Sequence, residues 1–156
     1  LVLMGTTLGV VGLGFGPAWA LQDYPVAAVD ELENRGWIGE GRHRVLSNDL
    51  AGNYLTVRLG DSRDVFVDDR VDMYPAEIID SYVAVLDGED EEAEVIERWD
   101  IELIMWPSAD AELGSDGADP DEENKSVELF GRWGFQPEFE LDGWTVWCPA
   151  GGCPAP

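Results

Sequence analysis

Basic side chains are scarce in this chain. Its 156 residues include 9 Lys and Arg against 33 Asp and Glu, which gives a formal net charge of -24. Nucleic-acid binding depends on Lys and Arg contacts to phosphate, so this balance excludes a nucleic-acid partner. Anionic lipid surfaces are disfavoured for the same reason. The apolar share of 45% is ordinary for a globular chain, and the length suits one domain.

Histidine and cysteine are also rare. One His and two Cys exclude zinc ribbons, Cys/His clusters and a disulfide-dense framework. The chain has no G-x-S-x-G and no H-E-x-x-H motif, and its acidic runs, 89–94 and 110–123, do not fit an EF-hand calcium loop. We therefore predict no catalytic residues, no metal site and no cofactor in this chain.

The apolar run Leu1–Ala20 contains no charged residue. A helix of about 20 residues spans the ~30 Å hydrocarbon core of a bilayer. Gly5, Gly9, Gly12 and Gly16 follow i, i+4, i+7, i+11 spacing, which places them on one helix face and would let a neighbouring helix approach closely. This pattern favours the last transmembrane helix of a larger, truncated bundle.

A secretory signal peptide is the alternative for the same run, because Ala18-Trp19-Ala20 fits a small-x-small cleavage site. A buried helix of a soluble domain is a third interpretation. A signal peptide would carry a basic start, and none precedes the run. All the charged residues between Ala20 and Arg35 are acidic, so this flank does not have the positive charge of a cytoplasmic one. We expect residues 21–156 on the extracytoplasmic side of the plasma membrane, or secreted if the leader is cleaved.

Helix and strand signals alternate through residues 21–148, in the order β-α-β-α-α-β-α-β-β after a first helix. Short strands are predicted at 44–47 and 64–68, and the nearly continuous apolar stretch 101–106 is typical of a strand covered on both faces. Residues 51–59 fit either a helix or a strand. The predicted fold is a small three-layer α/β sandwich with a central, mainly parallel sheet.

The clearest helix signal begins at Pro75 and ends at Gly88. The spacing of the apolar residues predicts a buried face made of Ile78, Ile79, Tyr82, Val83 and Leu86.

The C-terminal third predicts a loop, a helix and a hairpin. Residues 108–125 read as a mobile acidic loop, after which Ser126 caps a short helix. Alternating apolar residues on both sides of Asp142-Gly143 predict an antiparallel hairpin at one edge of the sheet, and Pro137 confines its strand to that edge. Residues 149–156 are expected to be a flexible tail.

Four stretches of the chain resemble the motifs of a known family. Residues 44–55 are similar to the pattern (R)VFNDYxxGGYL, and residues 65–74 to VFIDGRxDxY. Residues 96–107 are similar to VLxxYxVDxVLxP, and residues 133–147 to GWxxVYxDDxxxVF. Together they resemble the C-terminal extracytoplasmic domain of polytopic bacterial membrane proteins that are themselves similar to glycosyltransferases of the GT-C fold.

This resemblance covers roughly residues 24–148 and implies a membrane protein related to enzymes that use lipid-linked sugar donors. In GT-C enzymes the catalytic carboxylate lies in an early extracytoplasmic loop of the membrane portion, upstream of the similar region. The chain departs from the pattern at two positions, where Asn53 and Asp69 stand in place of Gly. The second departure puts in doubt a close backbone approach at that turn.

Polar residues follow two of the predicted strands. Because the carboxyl ends of parallel strands line the ligand crevice of an open α/β sheet, these residues are candidates for one binding pocket. An Arg among carboxylates offers a planar, bidentate donor, and Asp and Asn can hold sugar hydroxyls. The structural alternative is that they cap helices and tie two loops together through salt bridges. The candidates are Asn48, Asp49, Asp68, Arg70, Asp72 and Tyr74.

Three further features have simpler interpretations. Cys148 and Cys153 could close a short disulfide loop outside the cytoplasm. His43 is expected to be exposed, with no catalytic partner. The Trp residues near the hairpin are read as core residues in preference to a sugar-stacking platform.

We therefore expect an accessory, non-catalytic domain that helps shape a lipid-linked sugar or acceptor site of a membrane-embedded GT-C-like protein. Its expected partners are the upstream membrane helices of the same protein and a lipid-linked sugar or glycan. The alternative is a secreted domain, released after Ala20, that binds a small carbohydrate ligand.

Overall fold

A computed structural model describes residues 23–39, 43–60, 64–89, 93–108 and 120–156. Within these ranges the chain is a mixed α/β domain with a four-stranded sheet, five α-helices and a 3-10 turn at Val71–Met73. The elements, in chain order, are α1 (Val26–Asn34), β1 (Arg44–Ser47), α2 (Asp49–Leu59), α3 (Ala76–Asp87), α4 (Glu94–Trp99), β2 (Ile101–Pro107), α5 (Pro120–Arg132), β3 (Phe135–Leu141) and β4 (Trp144–Pro149).

The strand order in the sheet is β1-β2-β4-β3. β1 runs parallel to β2, whereas β4 is antiparallel to both β2 and β3. The predicted hairpin and its position at one edge are confirmed, but the prediction of a mainly parallel sheet is wrong. The reason is that β2 pairs on its second side with β4, which runs antiparallel to it, so β1 and β2 form the one parallel pair of the described sheet.

The prediction of a strand at 64–68 is also wrong, because this segment makes only an isolated parallel bridge to β1, between Val65 and Val45. The Val45 N–H donates to the Asp64 carbonyl at 2.6 Å, and the Phe66 N–H donates to the Val45 carbonyl at 3.2 Å. No further ladder bond follows in this segment, and its Val67 carbonyl lies against Gly52 of α2. A single bridge therefore replaces a fifth strand.

Helices cover both faces of the sheet. Along β2, Leu103 and Met105 join a first core formed with α1 and α2, whereas Ile104 and Trp106 join a second core formed with α3, α4 and α5. This alternation is what a strand buried on both faces requires, and it explains the nearly continuous apolar run.

The ambiguous stretch 51–59 is the helix α2. The Asn48 side chain caps it by accepting a hydrogen bond from the Ala51 N–H at 3.0 Å. Ala51 and Leu55 are fully buried in the first core, whereas Val57 is 85% exposed. A strand would have placed Val57 on the same side as Leu55. The opposite burial of these two residues and the Asn48 cap therefore agree with a helix and not with a strand.

Helix α3 has the predicted bounds and ends at Gly88 in the left-handed conformation. Its predicted face needs one correction. Val83 is exposed, and the fully buried residue of that turn is Val85, which packs in the second core beside Tyr82. The buried positions therefore follow an i, i+3 step from Tyr82.

Helix α5 begins at Pro120, earlier than predicted, so the acidic loop ends before residue 125. Proline fits the first turn of a helix. Ser126 does not cap the helix. Its hydroxyl donates to the Val85 carbonyl at 3.1 Å and so anchors α5 to α3.

The turn of the hairpin has positive φ at both central residues, 50° at Asp142 and 79° at Gly143. This is the geometry that joins two strands with matching twist. β3 lies at the sheet edge, as Pro137 predicts, and its backbone register shifts between Pro137 and Phe139.

Within the described residues, no helix is both long and apolar enough to cross a membrane. The run Leu1–Ala20, the acidic residues 90–92 and the loop residues 109–119 lie outside the described residues, so the predictions made for them stay predictions.

Candidate functional site

The best-connected polar group of the described residues is the carboxylate of Asp68, which is only 1% exposed. It accepts hydrogen bonds from the Thr56 hydroxyl at 2.9 Å and from the Arg70 guanidinium, at 2.6 Å from Nη2 and 2.9 Å from Nε. The Arg70 backbone N–H adds a fourth bond at 3.0 Å. We call Thr56, Asp68, Arg70 and Tyr74 the Asp68 cluster.

The charges of this cluster depend on one another. Burial disfavours the charged form of Asp68, but the hydrogen bonds from Arg70 and Thr56 outweigh it and hold the pKa of Asp68 below its usual range. The same hydrogen bonds and the charge of Asp68 raise the pKa of Arg70. Burial and the neighbouring Asp68 carboxylate raise the pKa of Tyr74. The cluster is therefore a stable ion pair with a neutral phenol beside it.

Helix α2 packs very closely, at Gly52, against the backbone of Val67 and Asp68. A Cβ atom at Gly52 would lie 1.9 Å from the Val67 carbonyl oxygen and 3.2 Å from the Asp68 Cα. One residue further along, the Asn53 side chain accepts a hydrogen bond from the Asp69 backbone N–H at 3.0 Å. The two positions that depart from the family pattern, 53 and 69, therefore contact each other.

Asn48 and Asp49 make their contacts at the start of α2. Asn48 is the helix cap, and the Asp49 N–H donates to the Tyr82 hydroxyl at 3.0 Å. Burial, followed by the charge of Asp49, raises the pKa of Tyr82, so the phenol stays neutral and can accept this bond. Asp72 is exposed on the 3-10 turn.

Of the six predicted site residues, the structure thus brings three together, Asp68, Arg70 and Tyr74. Sequence reasoning missed Thr56, Asn53 and Tyr82, which supply the partners of the predicted residues. A helical interpretation of 51–59 would have found Asn53 and Thr56, because they lie three residues apart and so on one side of a helix. The sequence carries no comparable signal for Tyr82.

The charged groups of the Asp68 cluster pair with each other, and this pairing makes them poorly suited to acid–base catalysis. The Asp68 carboxylate accepts hydrogen bonds from four donor groups of its own domain, which leaves it poorly placed to take a proton from a substrate. In the part of the chain that the structure describes, no group of three or more His, Cys, Asp or Glu residues could hold a metal ion. The geometry favours the structural interpretation of these residues.

His43 is less exposed than the sequence indicates, because both of its ring nitrogens have partners. Nδ1 lies 2.7 Å from Glu102 Oε2 on β2, and Nε2 lies 3.1 Å from the Ala155 carbonyl oxygen. The prediction of an exposed His43 is wrong, since its side chain is 16% exposed. The contact to Ala155 ties the C-terminal tail to the sheet.

Cys148 and Cys153 form a disulfide with a Cα–Cα distance of 5.0 Å. Cys148 is buried on β4, and Cys153 packs against the first core. The disulfide and His43 therefore attach the tail to the domain at two points.

The Trp residues near the hairpin contribute to both cores. Trp144 is fully buried in the first core, whereas Trp147 lies against the second core. There the Phe130 ring contacts Trp106, Trp133 and Trp147 at centroid distances of 5.3, 5.7 and 5.9 Å. Trp144 and Trp147 lie on opposite faces and do not form one stacking platform.

Comparison with family models, with curated proteins and with solved structures finds no match to this chain.

The Asp68 cluster predicts a specific pH dependence. Asp68→Asn keeps the shape of the side chain but removes its charge, and we expect it to lower the free energy of unfolding by about 2 kcal/mol at pH 7. Because the folded state lowers the pKa of Asp68, the stabilisation is complete above the ordinary Asp value of about 3.9 and is lost as the pH falls through the lower folded value. The difference between wild type and variant should therefore shrink in acid.

Urea unfolding of the purified chain at pH 7, 5, 4 and 3 measures this difference. Asp72→Asn is the matched control, because Asp72 is exposed and should change stability by less than about 0.5 kcal/mol. Equal stabilities of the two variants at pH 7 would refute a structural role for the Asp68 charge.

Proposed function

We propose that this chain is the accessory, non-catalytic extracytoplasmic domain of a membrane-embedded, GT-C-like glycosyltransferase-related protein. The observation that carries the proposal is the disulfide between Cys148 and Cys153, since disulfides persist in oxidising environments and are rare in the cytoplasm. The acidic flank after Ala20 supports the same side of the membrane.

The internal use of the polar residues supports a non-catalytic role. Asp68 and Arg70, the charged residues of the candidate binding site that lie closest together, form an ion pair with each other. Their contacts also support the family resemblance, because stretches 44–55 and 65–74, which carry two of its four motifs, meet at Gly52 and at the Asn53–Asp69 hydrogen bond. Motifs that are distant in sequence thus share one structural unit.

In this proposal Leu1–Ala20 is the preceding transmembrane helix, and the upstream membrane helices of the same protein are the partner. The α/β domain covers them on the outer face and helps shape the site for a lipid-linked sugar or for its acceptor. The catalytic groups belong to the membrane portion.

A second candidate is a secreted domain that binds a small carbohydrate. The observation in its favour is that the Arg70 side chain is 41% exposed, although its partner Asp68 is buried, and that Tyr74 neighbours it. A planar guanidinium with a neighbouring aromatic ring is suited to sugar hydroxyls and faces.

The redox state of the cysteines in living cells tests the export on which both candidates depend. The tagged full chain is produced in a bacterial host, and intact cells are quenched with acid before denatured thiols are labelled with a large maleimide. We expect no mass shift without reductant and two added labels after reduction. A Cys148→Ser, Cys153→Ser double variant is the control that takes no label. Full labelling without reductant would contradict an extracytoplasmic location.

A further inference from the structure

The described surface carries many more carboxylates than cationic groups. The exposed acidic residues are Asp30, Asp49, Asp69, Asp72, Glu77, Asp80, Asp87, Glu89, Glu94, Glu97, Asp100, Glu128, Glu138, Glu140 and Asp142. Helices α3 and α4 illustrate the imbalance, because they contribute five acidic residues and only one basic residue, Arg98. At the charge of -24 such a surface repels itself in the compact state.

Several arginines already pair with carboxylates, and two of them, Arg35 and Arg58, each pair with two carboxylates. Arg58 Nη2 lies 2.8 Å from Asp30 and 2.6 Å from Glu33, which joins α2 to α1. Arg35 bridges Glu31 of α1 and Glu138 of β3 at 2.7 and 3.0 Å. The Arg58 pairs and the Arg35–Glu138 pair join elements that are distant in sequence, so they help to hold the fold together.

The choice of basic residue is a second, independent observation. Eight of the nine basic residues are Arg, and Lys125 is the single Lys. Arginine can hold two carboxylates with its planar fork, whereas lysine is a mobile point charge. The basic side chains of this chain are thus suited to pairing within the fold.

We propose that mobile monovalent cations are part of the folded state, so that the domain reaches its full stability only at high ionic strength and belongs to a salt-rich environment. The cations form a diffuse layer over the surface and occupy no fixed site. At 0.1 M salt the screening length is about 10 Å and spans neighbouring carboxylates, whereas at 1 M it is about 3 Å and separates them. Self-repulsion between exposed charges then largely disappears, while the close Arg pairs persist.

The experiment follows thermal unfolding of the full chain from 0.1 to 3 M KCl. We expect the melting temperature to rise by roughly 15 °C across this range, with NaCl acting like KCl because the effect is screening. A sucrose series matched in osmolality separates screening from the general exclusion of solutes, which also stabilises folded proteins. Sucrose should give less than half of the rise.

A charge-changing variant makes the test specific. Asp80→Lys, Asp87→Lys and Glu97→Lys combined replace three exposed acidic residues of α3 and α4, and two charge units per site bring the net charge from -24 to -18. This variant should melt higher than wild type in 0.1 M KCl and gain less from added salt. The matched control, Asp80→Glu, Asp87→Glu and Glu97→Asp, keeps the charge and should keep the wild-type salt response.

A melting temperature that is unchanged or falls with KCl would overturn the proposal, as would equal salt responses in the Lys variant and its control. So would a sucrose series that reproduces the full effect, because the stabilisation would then not be electrostatic. The outcome is independent of the thiol-labelling result, since a domain can be exported without depending on salt.

Discussion

Gly52→Ala should destabilise the domain by about 3 kcal/mol or more, although alanine is the better helix former. The added methyl group would lie 1.9 Å from the Val67 carbonyl oxygen, and no side-chain rotation can relieve this overlap, because the backbone fixes the positions of both the Cβ atom and the carbonyl oxygen. Helix α2 would have to move away from the 64–68 segment, and this movement would break the Thr56–Asp68 and Asn53–Asp69 hydrogen bonds.

Gly131→Ala is the control for this prediction. Gly131 lies in α5, and a Cβ atom there would meet nothing within 4 Å. The same substitution should therefore stabilise the protein by about 0.5–1 kcal/mol through helix propensity alone. Urea unfolding of both variants measures the contrast. If both substitutions raise stability, α2 does not pack on the Val67 carbonyl as described.

Val85→Asp should cost about 4 kcal/mol or prevent folding. Val85 is fully buried in the second core, where a carboxylate would have neither solvent nor a cationic partner among the surrounding apolar side chains. The substitution also acts close to the joint between α3 and α5, because the Val85 carbonyl accepts the Ser126 hydroxyl.

Val83→Asp is the matched control, two residues earlier on the same helix. Val83 is 46% exposed, so the same chemical change should alter the free energy of unfolding by less than about 1 kcal/mol. Circular dichroism during thermal unfolding distinguishes the two variants. A Val83→Asp protein that is less stable than Val85→Asp would restore the helix face that the sequence spacing predicts and would contradict the structure.

The elements with strong local signals could be predicted from the sequence. The hairpin follows from Asp142-Gly143 between alternating residues, and α3 follows from Pro75, Gly88 and the apolar spacing between them. The double-sided burial of β2 follows from its apolar run. In each case the residues that determine the element lie within that element.

The elements that depend on distant partners could not be predicted as well. The 64–68 segment has the composition of a strand, but it makes only an isolated bridge to β1, and its Val67 carbonyl lies against α2. The sheet is not mainly parallel, because the second neighbour of β2 is β4, which runs antiparallel to it. β4 is the second strand of a hairpin some forty residues further along the chain. Sequence periodicity describes which faces are apolar and does not identify the partner of each face.

The candidate site shows the same division. The sequence marks Asp68 and Arg70 as unusual, yet it does not reveal that Asp68 is buried and that Thr56 completes its hydrogen bonds. In the sequence, Asn53 and Asp69 stand out only as departures from a family pattern, whereas the structure shows that they are joined by a hydrogen bond. His43 stands between two arginines in sequence, but its partners Glu102 and Ala155 come from β2 and the C-terminal tail.

The most direct test of the account is where the domain resides and what precedes it in the mature protein. The full chain with a C-terminal tag is produced in a bacterial host, the cells are fractionated, and intact mass and protease accessibility of the tag are measured. We predict a membrane-bound product that retains Leu1–Ala20, with the α/β domain accessible to protease added outside the inner membrane. A soluble exported product beginning at Leu21 would instead support the secreted carbohydrate-binding alternative. A product in the cytoplasm, with its domain shielded from external protease, would contradict both.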